Sequence, residues 1–281
     1  MCATCGCSGD APAKVNTLDA EAGHHHRHHD HHHDRAHDHP HDHHHPDHDH
    51  HHANAEPPVS SSRTIRLEQD LLAKNNRLAE RNRGWLEAKG IVAWNLMSSP
   101  GAGKTTLLER TIRELGKELA ISVIEGDQET TIDAERIRAT GCPVVQINTG
   151  SGCHLDAEMV AVGLRKIAPR EGSLLLIENV GNLVCPALFD LGERGKAVIM
   201  SVTEGEDKPL KYPHMFRASD LMLLNKIDLL PYVRFDVERC IAGAREVNPR
   251  LSILQVSATR GDGLPEWYAW LRAQVAHGAE P

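Results

Sequence analysis

The clearest chemistry in this sequence lies in the motif SSPGAGKTT, which follows an apolar run and precedes a helical stretch. Gly101 and Gly103 allow the backbone to bend so that its N–H groups point at phosphate oxygens. Lys104 would contact the β- and γ-phosphates, and the Thr105 hydroxyl would bind Mg²⁺. Thr106 ends the motif, and we expect it to contact the nucleotide as well.

A second motif, Asn-Lys-Ile-Asp, ends the apolar run LMLLN. The Asp228 carboxylate can accept hydrogen bonds from the N1–H and the exocyclic amine of guanine, donors that adenine does not present in this pattern. Asn225 would approach the other edge of the base, and Lys226 would lie over its face. Further along, Ser257 and Ala258 would supply backbone contacts to the guanine carbonyl. With the phosphate loop, these residues predict a site for GTP and GDP.

Four residues between these motifs could respond to the γ-phosphate. Asp127 lies at a predicted strand end and Asp133 near a predicted helix start, and either could hold Mg²⁺ through water or orient the attacking water. The alternative for Asp133 is a helix cap. In IENVG, Glu178 would sense Mg²⁺ and Gly181 the γ-phosphate, in the manner of the Asp-x-x-Gly of GTPases. A buried glutamate paired with a lysine is the alternative for Glu178.

Three cysteines at the N-terminus, Cys2, Cys5 and Cys7, form a thiol cluster within MCATCGC. If the initiator methionine is removed, the free α-amine becomes a fourth ligand. Such a set could hold tetrahedral Zn²⁺ or square-planar Ni²⁺, and the usual affinity order does not decide between them. Flexible thiols without a function are the alternative.

A second group of soft ligands consists of Cys153, His154 and Cys185. Cys185 lies seven residues after Glu178, on the loop that leaves the strand predicted to sense the nucleotide. Ordering of this loop would couple a thiolate to the γ-phosphate. Alternatively, Cys153 and His154 are ordinary residues at a helix start.

A histidine tract spans 24–52, where 18 of the 21 histidines of the chain lie with six aspartates. It has almost no apolar surface, so we expect it to be disordered without metal. Neutral imidazoles bind Ni²⁺, Cu²⁺ and Zn²⁺, which predicts a store whose capacity falls below about pH 6. A purification tag is the alternative, but no run exceeds three histidines.

Apolar runs alternate with helical stretches along the rest of the chain. Strands are predicted at 92–97, 120–125, 143–148, 173–178, 196–202, 221–225 and 252–257. Helices are predicted at 65–88, 104–116, 130–140, 156–168, 233–247 and 264–276. This alternation predicts an α/β fold, a mostly parallel sheet with helices on both faces, and a ligand at the carboxyl ends of the strands.

Composition divides the chain into a Cys-rich head (1–23), a His/Asp tract with linker (24–62) and a nucleotide-binding domain (63–281). Residues 1–62 carry three basic against ten acidic residues, a net charge of −7, and the whole chain carries −8. The remaining −1 leaves no basic face for a nucleic acid. With no long apolar run and no secretory leader, we expect a cytoplasmic protein with reduced thiols. Cys142 and Cys240 are expected to be buried.

The ordered motifs SSPGAGKTT, EGDQETTIDAERI, GCHLDAEM, IENVGNLVCP, VTEGEDKPLKYP and NKIDLLPY resemble the HypB family of nickel-incorporation GTPases, of the SIMIBI class. The resemblance covers about 65–281, and the Cys head extends it to residue 1. The phosphate loop of this family varies at its first position, so Ser98 at that position is compatible with the resemblance. It implies slow GTP hydrolysis, a GTP-dependent homodimer with Cys153, His154 and Cys185 holding Zn²⁺ or Ni²⁺ at its interface, and a high-affinity nickel site in the head. It further implies a HypA-type partner and nickel delivery to the [NiFe]-hydrogenase large subunit.

Two other functions remain open at this point. A urease accessory GTPase would share the fold, but a Cys-Pro-His metal motif is expected there and is absent here. A nickel storage and detoxification protein with a vestigial GTPase would explain the histidine tract. Growth and hydrogenase activity would separate storage from delivery.

Overall fold

The part of the chain that the structure describes folds around one eight-stranded sheet. A computed structural model describes residues 14–17, 60–128 and 130–278, with side chains from residue 69 onward. The strands are β1 Lys14–Thr17, β2 Val92–Ser98, β3 Ile121–Asp127, β4 Val144–Asn148, β5 Leu174–Glu178, β6 Gly195–Ser201, β7 Leu221–Asn225 and β8 Ser252–Gln255. The helices are α1 Ser60–Ala88, α2 Lys104–Leu115, α3 Ile132–Arg138, α4 Ala157–Ile167, α5 Cys185–Leu188, α6 Lys208–Lys211, α7 Pro213–Arg217, α8 Val237–Val247 and α9 Leu264–Gly278, and a 3-10 helix spans Ile227–Tyr232.

The sheet has the strand order β1-β4-β3-β5-β2-β6-β7-β8. Strands β2 to β8 are parallel, and β1 pairs antiparallel with β4. The seven predicted strands are confirmed with small shifts at their ends. Strand β1 is a difference from the prediction, because it lies within the segment assigned to the Cys head. Its four residues, KVNT, are too few to show an alternating pattern.

Both faces of the sheet are buried under helices, as predicted. In β5, Leu174 and Leu176 join the core beneath α2 and α9, while Leu175 and Ile177 join the core beneath α1 and α4. Successive strand residues point to opposite faces, so a run that is apolar throughout requires cover on both sides. The carboxyl ends of the parallel strands therefore meet at one edge, which carries the predicted ligand residues.

Helix α1 begins earlier than predicted, and only part of its predicted apolar face is buried. Among the apolar residues that the sequence places at helical spacing in this helix, Leu86 is buried, whereas Leu71 and Trp85 are 54% and 37% exposed. The buried face also includes two asparagines, Asn75 and Asn82. A search for periodic apolar residues does not detect a buried face that contains polar residues. Asn75 donates to Asp190 O at 2.7 Å, and its own oxygen accepts from a backbone N–H of α4.

None of the described helices has the length and apolarity needed to cross a membrane.

The other predicted helices are confirmed, with one shifted start. Helix α8 begins at Val237 instead of residue 233, because the Asp236 carboxylate caps it and accepts from Arg239 N at 2.9 Å. Helices α5, α6 and α7 and the 3-10 helix span four to six residues each. Such short elements show no helical periodicity, so the sequence did not predict them.

Candidate nucleotide and metal sites

The phosphate loop connects β2 to α2 and lines a cavity of about 550 Å³. Gly101 and Gly103 have φ values of 74° and 92°, in the left-handed region that favours glycine. A Cβ at Gly103 would lie 2.6 Å from Asn225 Nδ2, so that position also lacks space for a side chain. A Cβ at Gly181 would lie 3.2 Å from the backbone of Pro100, which places the β5 exit loop against the phosphate loop.

Lys104, Thr105 and Glu178 contact one another at the floor of this cavity. The Lys104 Nζ lies 3.0 Å from Glu178 Oε1, and the Thr105 hydroxyl donates to the same oxygen at 2.7 Å. Glu178 is 1% exposed, and its Oε2 has no hydrogen-bond partner among the described residues. The lysine pairing weighed as an alternative for Glu178 is thus present, but it joins two predicted nucleotide residues. A hydroxyl and a carboxylate are ligands that suit Mg²⁺.

Glu125 is a cavity residue that the sequence did not single out. It is the register partner of Glu178 on the neighbouring strand, and it is 2% exposed. Burial, followed by the charges of Glu178 and Asp127, raises the pKa of Glu125 to about 9. The available signal was a glutamate ending each of two apolar runs, AISVIE and SLLLIE. Parallel neighbouring strands bring such terminal residues together.

Replacing Glu125 with glutamine should stabilise the ligand-free chain increasingly as the pH rises. The glutamate has an ordinary pKa near 4.5 when unfolded and about 9 when folded. Between these values the unfolded chain releases a proton that the folded chain retains. The wild-type chain therefore loses up to about 1.4 kcal/mol of unfolding free energy per pH unit through this group.

Urea denaturation of wild type and Glu125→Gln at about pH 5 and about pH 8 measures this difference. Glu87→Gln, at an exposed position of α1, is the control and should leave the pH dependence unchanged. A stability difference between wild type and Glu125→Gln that stays constant with pH would contradict the prediction.

Asp127 and Asp133 both line the cavity, as do Thr106 and Arg136. Asp127 Oδ2 accepts from the backbone N–H and the hydroxyl of Thr130, at 2.9 and 2.7 Å. Asp133 is the second residue of α3 and lies 3.5 Å from Arg136 Nη1. The helix-cap alternative for Asp133 is wrong, because Thr131 holds the N-cap position. Arg136 also donates to Thr106 Oγ1 at 3.2 Å and so links α3 to the phosphate loop.

The predicted base-recognition residues lie together at the ends of β7 and β8. Asn225 Nδ2 donates to Ala102 O at 3.0 Å, and Asn225 Oδ1 accepts from Ala258 N at 3.2 Å. Lys226 has a φ of 63°, and its Nζ donates to Gly101 O at 2.7 Å. The Ser257 hydroxyl donates to Asp228 Oδ1 at 2.6 Å. Asn225 and Lys226 therefore connect the base motif directly to the phosphate loop.

Cys153, His154 and Cys185 converge although 32 positions separate the first from the last. One ligand atom of each lies within 4.8 Å of the others. Both cysteines are buried, and Phe189 stacks on the His154 ring with centroids 3.9 Å apart. Burial lowers the pKa of His154, and Asp156 opposes this in part. Two thiols and an imidazole held neutral form a donor set for Ni²⁺ or Zn²⁺.

The remaining predicted thiols divide into two groups. Cys142 and Cys240 are buried as expected, and burial raises the pKa of each to about 12. Cys2, Cys5 and Cys7 and the histidine tract lie outside the described residues, so their roles stay predictions.

A phosphate loop at the end of a parallel strand, joined to an Asn-Lys-Ile-Asp base motif, defines a P-loop nucleotide-binding protein. Residues 92–255 match the family described as "CobW/HypB/UreG, nucleotide-binding domain", which places the chain among the P-loop GTPases. The chain is 62% identical over 218 residues to the hydrogenase maturation factor HypB of Azotobacter vinelandii, covering 78% of this chain and 72% of that one. The chain belongs to the HypB family of hydrogenase maturation factors.

Other relatives agree with this placement. HypB of Escherichia coli K12 is 59% identical over 218 residues, which cover 78% of this chain and 75% of that one. The HypB structure from Archaeoglobus fulgidus matches with a TM-score of 0.68 and 46% identity, over 73% of this chain and 100% of that one. The HypB structure from Helicobacter pylori in complex with nickel matches with a TM-score of 0.69 and 34% identity, over 74% and 98% of the two chains.

Proposed function

We propose that this chain is a nickel metallochaperone GTPase that delivers nickel to the [NiFe]-hydrogenase large subunit. The observation that carries the proposal is the convergence of Cys153, His154 and Cys185 on the segments that follow β4 and β5 at the nucleotide edge of the sheet. Cys185 follows Glu178, which contacts Lys104, by seven residues. A relative of known structure was solved with nickel, which supports the choice of cargo.

In the nucleotide half, the Asp228 carboxylate selects guanine, and Lys104 binds the β- and γ-phosphates. Thr105 and Glu178 hold Mg²⁺, which when bound neutralises charge on those phosphates. Asp127 or Asp133 orients the water that attacks the γ-phosphate. Hydrolysis is slow until a second protein completes the site, since positioning and electrostatics supply most of the catalysis of phosphoryl transfer.

The proposed metal site depends on dimerisation of the chain. GTP favours a homodimer in which the triads of the two protomers approach each other and hold Ni²⁺ or Zn²⁺. Hydrolysis of GTP then dissociates the dimer, and the metal passes to the acceptor. A HypA-type nickel chaperone is a partner in this delivery. Cys2, Cys5 and Cys7 form a separate nickel site, and the histidine tract stores further ions. Both lie outside the described residues.

Cys185→Ala should remove one nickel per protomer from the full chain and abolish the thiolate-to-nickel absorption of this site. Removing one thiolate from a three-ligand set leaves too few donors for tight binding. Equilibrium dialysis with Ni²⁺, with GDP and with a non-hydrolysable GTP analogue, gives the stoichiometry.

Cys240→Ala is the matched control for this experiment. It removes an equally buried thiol, whose Sγ contacts Met200 and no predicted ligand. If Cys185→Ala keeps the wild-type stoichiometry in both nucleotide states, the triad is not the nickel site and the proposal fails.

Deleting 24–52 separates delivery from storage. The deletion retains 14–17, which pair with β4 and which a truncation at residue 63 would remove. With delivery as the main role, cells that carry the deletion should keep most of their hydrogenase activity when nickel is in excess. They should lose hydrogenase activity only when nickel is scarce, and they should lose nickel tolerance only when nickel reaches toxic levels. Loss of activity in excess nickel would favour storage as the main function.

A further inference from the structure

Asn179 links the nucleotide residues to the metal triad. It directly follows Glu178, it is fully buried, and its N–H donates to Leu96 O at 3.0 Å, at the end of the pairing between β5 and β2. Its side-chain Oδ1 accepts from Leu155 N at 3.1 Å and from Val180 N at 3.0 Å. Leu155 immediately follows His154. One side chain therefore joins the end of β5 to the loop that carries Cys153 and His154.

The orientation of the Asn179 amide follows from its neighbours. Backbone N–H groups can only donate, so the atom facing Leu155 N and Val180 N must be the oxygen. The Nδ2 then points the other way and donates to Asn95 Oδ1 at 3.2 Å. Asn95 Nδ2 in turn donates to Glu193 Oε1 at 3.2 Å. The direction of these hydrogen bonds is fixed from end to end.

The same series of contacts reaches the other half of the triad. Glu193 lies 3.7 Å from Lys196 Nζ, and Lys196 donates to Ala187 O at 3.2 Å and to Phe189 O at 3.0 Å. Both carbonyls belong to the segment that begins at Cys185, and Phe189 stacks on His154. The side chains of Asn179, Asn95, Glu193 and Lys196 are all at least four-fifths buried. The two ends of the Asn179 amide therefore lead to different parts of the triad. The oxygen leads to the segment with Cys153 and His154, and the nitrogen leads to the segment with Cys185.

We propose that Asn179 is the positioning residue that transmits the nucleotide state at Glu178 to the geometry of the metal triad. A shift of Glu178 toward a bound cation moves the adjoining peptide and with it the Asn179 amide. Buried donors and acceptors must keep their partners, so the Leu155 N–H and the Asn95 amide follow. The two ligand loops then change their separation together. This inference rests on the proposed function, since it assumes nickel at the triad and nucleotide at Glu178.

The test measures Ni²⁺ affinity of the full chain with GDP and with a non-hydrolysable GTP analogue. The signal is the part of the thiolate-to-nickel absorption that Cys185→Ala removes. In wild type, the ratio of the two affinities should be about 5- to 150-fold, the usual range of coupling between sites. Asn179→Ala should bring this ratio below about twofold, while the affinity of the metal-free chain for each nucleotide stays within about threefold of wild type.

Asn82→Ala is the matched control because Asn82 is also a buried asparagine, and it also bonds to the segments that follow His154 and Cys185. It donates to Ala157 O at 2.8 Å and to Leu191 O at 3.0 Å, but its hydrogen bonds do not reach β5. This variant should lower Tm and keep the wild-type affinity ratio. If Asn179→Ala does not fold, Asn179→Asp retains an oxygen for Leu155 N and removes the donor to Asn95. It should lower the ratio by at least about threefold.

An unchanged ratio in a folded Asn179 variant would overturn the inference, as would an equal loss of the ratio in Asn82→Ala. The proposed function fails in a different way. If the wild-type signal is insensitive to Cys185→Ala, or its affinity ratio is near one, then the triad or its coupling to nucleotide is absent before Asn179 is tested.

Discussion

Replacing Lys104 with alanine should lower the maximal rate of GTP hydrolysis by about 10²- to 10³-fold, the loss typical of removing one group that stabilises transition-state charge. Lys104 lies at the start of α2 beside the cavity, and its Nζ is 3.0 Å from Glu178 Oε1. The variant removes the cation that would contact the β- and γ-phosphates. It also leaves the buried Glu178 carboxylate with the Thr105 hydroxyl as its one hydrogen-bond partner within the described part of the chain. Both effects raise the cost of placing further negative charge in the cavity.

Phosphate release at saturating GTP measures the effect, and calorimetric binding of GDP shows how much of it arises in the ground state. Lys117→Ala is the control, since Lys117 lies just beyond the end of α2 on the exposed surface. Its hydrolysis rate should equal that of wild type. A Lys104→Ala rate within about threefold of wild type would contradict the assigned role of this lysine.

Asp228→Asn should weaken GTP binding by about 10²-fold and shift the preference toward xanthosine triphosphate. The carboxylate accepts two hydrogen bonds from guanine, and charge-assisted hydrogen bonds contribute about 1.5–3 kcal/mol each. Xanthine carries an oxygen acceptor where guanine has its amine, and an asparagine amide supplies the matching donor. The fold should persist because the amide oxygen can still accept from the Ser257 hydroxyl, as Asp228 does at 2.6 Å.

Competition between GTP and xanthosine triphosphate for a fluorescent GDP analogue measures this preference. Asp236→Asn is the control, because Asp236 caps α8 a short distance along the chain and asparagine caps equally well. Its nucleotide preference should not change. Equal affinity of wild type and Asp228→Asn for GTP would refute the base assignment.

The sequence predicted the sheet, and it placed the nucleotide motifs at strand ends, because the signals for both are local. An apolar run such as LLLIE is buried on both faces, and a motif that joins a strand to a helix specifies its own backbone. Asn225 and Lys226 could be assigned in the same way, because the Asn-Lys-Ile-Asp motif directly follows an apolar run, and in the fold both residues contact the phosphate loop.

The features that the sequence did not predict depend on contacts between distant segments. Glu125 matters because register places it beside Glu178. Asn179 matters because its amide meets Leu155, 24 residues earlier in the chain. Asn75 and Asn82 occupy a buried helix face that a periodicity of apolar residues treats as polar. For the three asparagines, a buried side-chain amide satisfies backbone groups that only the folded chain brings near.

Strand β1 sets the covalent reach of the N-terminal cysteines. Because β1 is antiparallel to β4, Lys14 lies opposite Asn148, at the edge from which the chain continues to Cys153, and Thr17 lies opposite Val145, toward the other edge. The seven residues from Cys7 to Lys14 can extend at most about 25 Å. Chain connectivity therefore keeps Cys7 within about 25 Å of Lys14, which lies at the edge that carries the triad. The histidine tract lies in the chain between Thr17 and Ser60, so described elements of the domain precede and follow it in sequence.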